Sequence, residues 1–334
     1  MSNGCSTDDV VLSVVVPCFN ESDGLLHFHR RLCAALKPIP GPIEVIYVND
    51  GSVDDTEDAI RQLQRQDCRV GFVDLSRNFG KEVALMAGID HARGAAVIVI
   101  DADLQDPPEL IPDMVRAWRD GYDVVAMKRT DRSSDSRFKR VTASWYYWLL
   151  GKLSPVAIPE NVGDFRLISR RVVNALKQMP ERNRYMKGIF AWVGFNSIEL
   201  PYHRDARYAG DSKMPLWKLF SLAIDGITSF SIAPLRLASI AGCAVALGAV
   251  LFGVVMLIRT ALFGDPVAGF PTLIVAITFL GGAQLMAIGV LGEYVGRLLL
   301  ESKRRPLYLV NHVELPSQSA SPIDNTRLPR QALG

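Results

Sequence analysis

Acidic and amide side chains stand at alternate positions in one short segment, where they could bind a divalent metal ion. Asp101 ends a β-branched run, and Asp103 and Gln105 follow it. Two carboxylates and an amide suit a hard ion such as Mg²⁺ or Mn²⁺ that shares its coordination sphere with phosphate oxygens. The alternative is a turn whose aspartates only cap the helix that begins beyond Pro107. We assign that cap to Asp106, which leaves Asp101 and Asp103 for the ion.

Two further polar turns follow apolar runs earlier in the chain. The first contains Glu21, and the second contains Asp50 directly before Gly51, a residue that permits a tight turn. Asp50 could accept a hydrogen bond from the N–H of a nucleotide base. An ordinary turn, with Asp54 capping the next helix, would use the same residues, so both interpretations stay open.

Basic residues form two clusters that could bind phosphate. The first cluster contains Lys128, Arg129, Arg132, Arg137, Lys139 and Arg140. The second contains Arg207 and Lys213. Such residues either hold anionic headgroups beside a membrane or bind the phosphate of a lipid substrate, and the pattern alone does not separate the two.

Short β-branched runs alternate with longer helical patterns in the part of the chain that carries these turns. The predicted strands are Val11–Val16, Ile43–Val48, Val70–Val73, Val97–Ile100 and Val124–Met127. The predicted helices are Leu25–Leu36, Asp54–Gln66, Glu82–His91 and Glu109–Arg119. This alternation predicts an α/β domain with a mostly parallel sheet and helices on both faces. Since ligands bind beyond the carboxyl ends of such strands, the three polar turns should meet at one edge of the sheet.

Composition and motifs exclude several classes of protein. The net charge of +2 gives no chain-wide basic footprint, so we expect no nucleic-acid partner. The five cysteines are scattered, which argues against a disulfide framework and against a structural zinc site. No G-x-G-x-x-G follows the first strand and no P-loop motif occurs, which disfavours dinucleotide-binding and P-loop folds.

Two uncharged stretches in the C-terminal third are long enough to cross a membrane. The uncharged stretches comprise residues 237–258 and Pro266–Gly292, and the predicted spans are about residues 237–258 and 270–293. As a helix with ~1.5 Å per residue the first reaches about 33 Å, against roughly 30 Å of hydrocarbon. A pair of buried core helices is the alternative. Basic residues flank both ends of the pair, so the positive-inside rule predicts cytoplasmic ends, a short outside loop and a multi-pass protein of the cytoplasmic membrane.

The other segments complete the predicted domain organisation. The first residues do not have the pattern of a signal peptide, so residues 1–205 are expected to form a cytoplasmic domain. Residues 206–235 carry apolar side chains at helical spacing, which predicts an amphipathic helix in the membrane interface or, alternatively, one that packs against protein. Residues 236–305 contain the two spans, and residues 306–334 have the composition of a largely disordered tail. Small residues could let the spans pack closely within one chain or in a homo-oligomer: Gly281, Gly282, Gly289 and Gly292.

An ordered set of motifs resembles the family-2 glycosyltransferases that act on polyprenyl phosphates, among them bactoprenol glucosyltransferases and dolichol-phosphate mannose synthases. The motifs are VVVPCFNE, VNDGSVDDT, LSRNFGKEVALMAGIDHA, DADLQDPPE, GDFRLISR, RYMKG, RYAGDSK and GEYVGRLLLESKRRPLY. They extend from about Val11 to Leu309, and the two predicted spans favour the bactoprenol type. The resemblance implies a GT-A type nucleotide-sugar-binding domain in residues 1–205.

The resemblance also implies a binding site for the nucleotide sugar. The positions that hold the nucleoside correspond to Pro17, Phe19, Glu21, Val48 and Asp50. The D-x-D-x-Q motif that contacts ribose, diphosphate and divalent metal corresponds to Asp101, Ala102, Asp103 and Gln105, of which Asp101, Asp103 and Gln105 are the expected metal ligands. A basic pair that binds the donor diphosphate corresponds to Arg207 and Lys213. One departure is Asn49, where many relatives have Asp.

The same resemblance assigns the catalytic and acceptor-binding residues. Asp164 and Arg166 correspond to a pair near the sugar and, with Asp103, are the expected catalytic residues. Arg129 and Arg137 fall in the loop that binds the lipid phosphate in relatives. A phosphate acceptor is already anionic near neutral pH. We therefore expect Asp164 to orient the sugar or to stabilise positive charge at its anomeric carbon rather than to abstract a proton.

The implied reaction is the inverting transfer of a hexose to a polyprenyl phosphate such as undecaprenyl phosphate, with Mg²⁺ or Mn²⁺ as cofactor. UDP-glucose is the first expected donor, and GDP-mannose, a UDP-N-acetylhexosamine and UDP-aminoarabinose are alternatives. The non-enzymatic alternatives are a membrane-anchored nucleotide-sugar receptor and a membrane scaffold that only binds partners. A receptor would bind the nucleotide in a metal-dependent way without turnover.

Overall fold

A single sheet organises the protein in a computed structural model, which describes residues 10–130, 162–179, 186–203 and 269–316 and single positions between 235 and 262. Over these residues the sheet has eight strands in the order β7-β5-β6-β4-β1-β2-β3-β8. They are β1 (Leu12–Cys18), β2 (Ile43–Asn49), β3 (Val70–Leu75), β4 (Ala96–Val99), β5 (Val124–Arg129), β6 (Val162–Ser169), β7 (Ser197–Tyr202) and β8 (Val310–Glu314).

The central strands of this sheet are parallel. β1 pairs in parallel with β2 and β4, β2 with β3, and β5 with β7. Only β6 and β8, among the described strands, run in the opposite direction. Every residue of β1 is buried, because the strand has neighbours on both sides and helices on both faces. A strand in that position is apolar without alternation, which explains the continuous Val run and confirms the mostly parallel sheet.

Helices cover both faces of the sheet, as predicted. They are α1 (Ser22–Leu36), α2 (Thr56–Gln66), α3 (Lys81–His91), α4 (Ile111–Arg119), α5 (Arg170–Lys177), α6 (Met186–Trp192) and α7 (Phe270–Ser302), with a 3-10 turn at Pro108–Leu110. On one face α1, α2 and α4 pack around Phe28 and Tyr47. On the other face α3, α5 and α6 pack around Met86 and Ile189. The α/β architecture predicted from the sequence is therefore confirmed.

The first part of the tail forms a strand, which corrects the prediction of disorder for residues 306–316. β8 pairs in antiparallel fashion with the outer edge of β3. The Asn311 amide donates to Asp74 over 3.1 Å, and the Tyr308 hydroxyl donates to Asp90 over 2.9 Å. β3 would otherwise present an unpaired edge, so the tail gains both backbone and side-chain partners by adding to it. Residues 317–334 lie outside the described residues.

One helix of the described residues, α7, is long and apolar enough to cross a membrane. It starts at Phe270, where the second predicted span starts, and continues beyond residue 293 to Ser302. Its 33 residues would extend about 50 Å, more than the hydrocarbon of a bilayer. The first predicted span, residues 237–258, is described only at single positions, so the arrangement with two spans stays a prediction. The predicted amphipathic segment lies outside the described residues, apart from Leu235.

Candidate active site

The carboxyl edge of the sheet brings Asp101 and Asp164 together. β4 and β6 are antiparallel, with Val99 opposite Arg166. This register, continued two residues beyond Val99 and two residues back from Arg166, places Asp101 opposite Asp164, on the same face of the sheet because side chains alternate along a strand. Two residues that the sequence assigned to different parts of the site are thus neighbours, one following β4 and the other within β6.

Lys81 joins these two carboxylates, and sequence reasoning gave it no role. Its Nζ lies 2.6 Å from Oδ2 of Asp101 and 2.7 Å from Oδ2 of Asp164. Burial alone would lower the pKa of the Lys81 ammonium, but the two carboxylates outweigh burial and raise that pKa above its usual value. Lys81 is the first residue of α3. A cation at the positive end of a helix dipole is unfavourable without anionic partners, so the sequence could have indicated that Lys81 needs such partners but not which residues provide them.

The turn after β4 fits a hard divalent cation. The Oδ1 atom of Asp101 is buried and has no hydrogen-bond partner among the described residues. Burial raises the pKa of this carboxyl group, and Asp164 raises it further, while Lys81 opposes the rise. The Asp103 carboxylate accepts a hydrogen bond from the backbone N–H of Gln105 over 3.1 Å, which closes the turn. A buried carboxylate oxygen without a donor is the kind of ligand that Mg²⁺ or Mn²⁺ requires.

Asp106 does not cap a helix, in contrast to our assignment from the sequence. The 3-10 turn that follows it begins without a side-chain cap. Instead the Asp106 carboxylate accepts a hydrogen bond of 2.5 Å from the hydroxyl of Tyr202, at the end of β7. The same hydroxyl accepts a hydrogen bond of 3.3 Å from Nε of Arg129. Tyr202 therefore connects a predicted acceptor-binding arginine to the turn after β4.

Arg166 is buried behind Asp164 on β6. Only 3 % of the residue is exposed, and its guanidinium lies 3.9 Å from the centre of the Phe190 ring. One guanidinium N–H donates to the carbonyl of Gly163 over 2.6 Å, while Nε has no partner among the described residues. Burial lowers the pKa of Arg166 to about 10, against the opposing influence of Asp164. The structure thus places Arg166 where it can support Asp164 electrostatically from within the core.

Asp50 holds the loop that leads into α3. Its two carboxylate oxygens accept hydrogen bonds from the backbone N–H groups of Phe79, over 2.7 Å, and Gly80, over 2.9 Å. Burial raises the pKa of Asp50, and these two hydrogen bonds act against the rise. In addition to the base contact predicted for it, Asp50 fixes the start of the helix that carries Lys81. The loop at Phe79 and Gly80 therefore connects Asp50, in the part of the site predicted for the nucleoside, to Lys81 and its two carboxylate partners.

Two loops beside Asp50 are joined by hydrogen bonds. The backbone N–H of Asn20 donates to Ser52, and the Asn20 side chain accepts from the backbone of Val53. The backbone N–H of Glu21 donates to the hydroxyl of Thr56. The other predicted nucleoside-binding residues lie at these loops or at the strand ends below them: Pro17, Val48 and Ala102 are buried, and Phe19 is half exposed. The hydrogen-bonded loops surround the place predicted for the nucleoside.

The departure at Asn49 has a structural explanation. Its side-chain amide donates to Asp74 over 2.8 Å, and its side-chain oxygen accepts from the backbone N–H of Ser52. An aspartate at this position would place a second carboxylate against Asp74, which already accepts a hydrogen bond from Asn311 of β8. Asparagine therefore links the nucleoside-side turn to the strand that holds the tail.

We expect Gly51→Ala to destabilise this turn strongly. Gly51 has φ +63°, and a Cβ there would lie 2.5 Å from the backbone nitrogen of Asn78. Left-handed strain and the clash together predict a loss of about 2–4 kcal/mol in the free energy of unfolding. Gly24→Ala is the matched control, since a Cβ at Gly24 meets nothing within 4 Å and lies in α1. Denaturant unfolding of both variants measures the difference, and equal stabilities would contradict the prediction.

A second cluster of potential ligands lies at α1, away from the carboxyl edge. His29, Cys33 and Asp67 bring one ligand atom each within 4.8 Å of one another. Burial opposes protonation of His29, but hydrogen bonds with Asp67 and Cys33 outweigh burial and raise its pKa to about 9. Arg69 donates to both Cys33 and Asp67, so the cluster already contains its own cation. We interpret it as a structural network between α1, β2 and the α2–β3 loop.

Three predicted site residues lie outside the described residues: Arg137, Arg207 and Lys213. Their proposed contacts with the lipid phosphate and the donor diphosphate rest on the sequence motifs. Arg129, which is described, ends β5 beside Gly163, where an added Cβ would lie 3.2 Å from its guanidinium.

Comparison with known proteins identifies the family of this chain. The model described as "Glycosyl transferase family 2" matches residues 13–177, the segment that contains Asp50, Lys81, Asp101 and Asp164. The chain is 50 % identical over 301 residues to the bactoprenol glucosyl transferase of Shigella phage SfV, covering 90 % of this chain and 98 % of the phage protein. The chain belongs to glycosyl transferase family 2, as the motifs indicated.

Other relatives extend the comparison. The chain is 49 % identical over 303 residues to a prophage bactoprenol glucosyl transferase homolog of Escherichia coli strain K12, covering 91 % of this chain and 99 % of the relative. Among solved structures, glucosyl-3-phosphoglycerate synthase from Mycobacterium tuberculosis, in complex with Mn²⁺, UDP and glucosyl-3-phosphoglycerate, has 23 % identity and a TM-score of 0.46. That match covers 66 % of this chain and 78 % of the synthase chain.

Proposed function

We propose that this protein transfers glucose from UDP-glucose to a polyprenyl phosphate at the cytoplasmic face of the membrane. The observation that carries the proposal is the identity of about half of all residues with bactoprenol glucosyl transferases along nine-tenths of the chain. The position of Asp101 and Asp164 on either side of Lys81 at the carboxyl edge supports it, because glycosyl transfer needs charged groups at both the leaving diphosphate and the sugar.

The donor is proposed to lie across the edge from Asp50 to Asp164. The loops at Phe19 and Asp50 take the nucleoside, and the turn at Asp101 and Asp103 takes the diphosphate with a divalent ion. That ion, Mg²⁺ or Mn²⁺, would neutralise charge on the departing nucleoside diphosphate. Arg207 and Lys213 are proposed to add positive charge at the same place.

The reaction is proposed to be a single displacement at the anomeric carbon. An oxygen of the lipid phosphate forms the new bond to that carbon while the bond to the UDP oxygen breaks, and UDP leaves with the bonding electrons. No proton has to be removed from a phosphate that is already ionised. Asp164 then orients the sugar and balances positive charge at the anomeric carbon. The α-linked donor would give a β-linked lipid phosphosugar.

The acceptor is proposed to approach from the membrane side, where Arg129 and Arg137 bind its phosphate. α7 and a second span at residues 237–258 would hold the domain close to the acceptor. In support, the described positions in and near that stretch are helical, and large apolar side chains among them are exposed, including Leu247, Leu251 and Ile258. Anchoring raises the local concentration of a lipid phosphate that is dilute in the bilayer.

Tyr202→Phe is expected to raise the KM for the lipid acceptor severalfold and to change the KM for the donor less. The variant removes the hydroxyl that joins Arg129 to Asp106 and leaves the ring in place. Losing a hydrogen-bonded partner of a buried carboxylate costs about 1–3 kcal/mol of stability. Tyr122→Phe, in the same hydrophobic core, is the control. Equal acceptor KM values for the two variants would contradict the role of Tyr202.

The direct test supplies membranes that contain the full chain with undecaprenyl phosphate and a panel of labelled UDP- and GDP-sugars. We expect label from UDP-glucose in the organic-extractable lipid, and no label after chelation with EDTA. Label from another donor would identify a different sugar and would leave the proposed type of reaction unchanged. Metal-dependent nucleotide binding without label from any donor would overturn the proposal in favour of a receptor.

A further inference from the structure

We propose that Lys81 competes electrostatically with the divalent metal ion for Asp101 and Asp164, so that the protein binds the metal well only together with the anionic donor. The inference rests on the proposed function, because it concerns the donor and the metal of that reaction. It assigns to Lys81 a role in metal binding that the sequence motifs do not indicate.

The contacts of Lys81 show that the carboxylates already have a cation. Its ammonium lies between Oδ2 of Asp101 and Oδ2 of Asp164, at 2.6 and 2.7 Å. Asp101 offers a metal only its Oδ1 atom, which is buried and has no hydrogen-bond partner in the described part of the chain. A divalent ion on Oδ1 would share one carboxylate with the ammonium, and two cations on one carboxylate repel each other.

The surroundings keep Lys81 in this position. The carboxylate of Asp50 holds the backbone of Phe79 and Gly80, directly before Lys81. The side chain is 45 % exposed, so it is accessible from the side where the donor would bind. Behind Asp164, the buried Arg166 adds further positive charge. Lys81 and Arg166 together therefore oppose a bare divalent ion at this edge of the sheet.

An anionic donor removes this repulsion. A nucleoside diphosphate adds negative charge beside the metal and beside Lys81. Each of the two cations then has further anionic partners besides the carboxylates. The donor and the metal should consequently bind cooperatively, with each increasing the affinity of the other by the same factor. Lys81 would then determine how strongly metal binding depends on the nucleotide.

The test measures Mn²⁺ binding to the purified full chain by electron paramagnetic resonance at neutral pH, with and without UDP. Wild type is expected to bind Mn²⁺ weakly alone and much more tightly with UDP. Lys81→Met is expected to bind Mn²⁺ alone about tenfold more tightly, because the competing charge is gone. UDP should then increase the Mn²⁺ affinity of this variant by a smaller factor than that of wild type. Lys81→Gln, which keeps a polar side chain without the charge, should behave in the same way, and Lys81→Arg should resemble wild type.

Lys177→Met is the matched control, because the Nζ atom of Lys177 donates to the backbone carbonyl of Asp90 over 2.8 Å, near the opposite end of α3 from Lys81. It makes the same change in net charge away from Asp101 and should leave Mn²⁺ binding as in wild type. Folded Lys81→Met and Lys81→Gln variants with unchanged or weaker Mn²⁺ affinity would overturn the inference. Sugar transfer plays no part in this measurement, so a chain that bound Mn²⁺ as described but labelled no lipid would overturn the proposed function alone.

Discussion

Replacing Asp101 with asparagine is expected to lower kcat/KM for glucosyl transfer by on the order of 10²–10³-fold while the fold survives. The carboxylate of Asp101 is proposed to bind the metal that neutralises the leaving diphosphate, and asparagine has the same shape without the charge. Burial raises the pKa of Asp101, which means that the folded protein disfavours its ionised form. A neutral amide should therefore cost little stability. Lys81 keeps its second partner, Asp164, in this variant.

The experiment compares transfer rates and thermal unfolding of wild type, Asp101→Asn and Asp113→Asn. Asp113→Asn is the same chemical change on the exposed surface of α4, where Asp113 pairs with Arg116. We expect the control to be as active as wild type. Activity of Asp101→Asn close to that of the control would show that the turn after β4 does not hold the catalytic metal. A large fall in its melting temperature would instead trace the loss of activity to folding.

The sequence was sufficient for the regular core of the fold because its signals are local. Each predicted strand from Val11 to Met127 is an apolar run between turn residues. The predicted helices that form α1, α2 and α4 each have an apolar face, whereas α3 is buried along the continuous run Ala84–Ile89. The turn at Asp101 was recognisable for the same reason, as carboxylates directly after a buried strand. Parallel strands whose carboxyl ends share one edge then placed the turns of Asp50 and Asp101 close together.

Strands whose sequences mix apolar with charged or polar residues were not predicted. β6 carries Asp164 and Arg166 within a strand, so its sequence lacks the apolar run of β1. β8 has a five-residue sequence, VNHVE, that becomes a strand only because β3 offers it an edge. The contact of Lys81 depends on the position of β6, which no local pattern contains. Contacts between distant segments therefore account for most of what the sequence alone could not provide.

The strand β8 has a consequence for the whole molecule. It follows α7 after a short connection and is held to the domain by Asn311 and Tyr308. The Arg93 guanidinium, which binds the buried Glu44, also donates to the carbonyl of Pro316. If α7 lies in the membrane, this attachment fixes the edge of the sheet relative to the bilayer. The site then has a constant distance from the lipid phosphate, which a flexible tail would not provide.

Asp164→Asn is expected to lower kcat by on the order of 10²–10³-fold and to leave the shape of its pH dependence unchanged. The Asp164 carboxylate, beside Lys81 and in front of the buried Arg166, is proposed to orient the sugar and to balance charge at the anomeric carbon. The variant loses that charge and retains the side-chain shape. The acceptor phosphate, with a second pKa of about 6, already accounts for a decline of the rate at low pH.

The two roles for Asp164 differ in what happens to that decline. A general base must be ionised to act, so the low-pH decline in kcat would include its pKa, and the asparagine variant would lose that part of the profile. A residue that only orients the sugar leaves the profile of the lipid phosphate intact in both proteins. Rates of wild type and Asp164→Asn with saturating donor and acceptor across pH distinguish the cases. A smaller low-pH decline in the variant, with only the part due to the lipid phosphate remaining, would make Asp164 the base, and an unchanged decline would leave the phosphate as its own nucleophile.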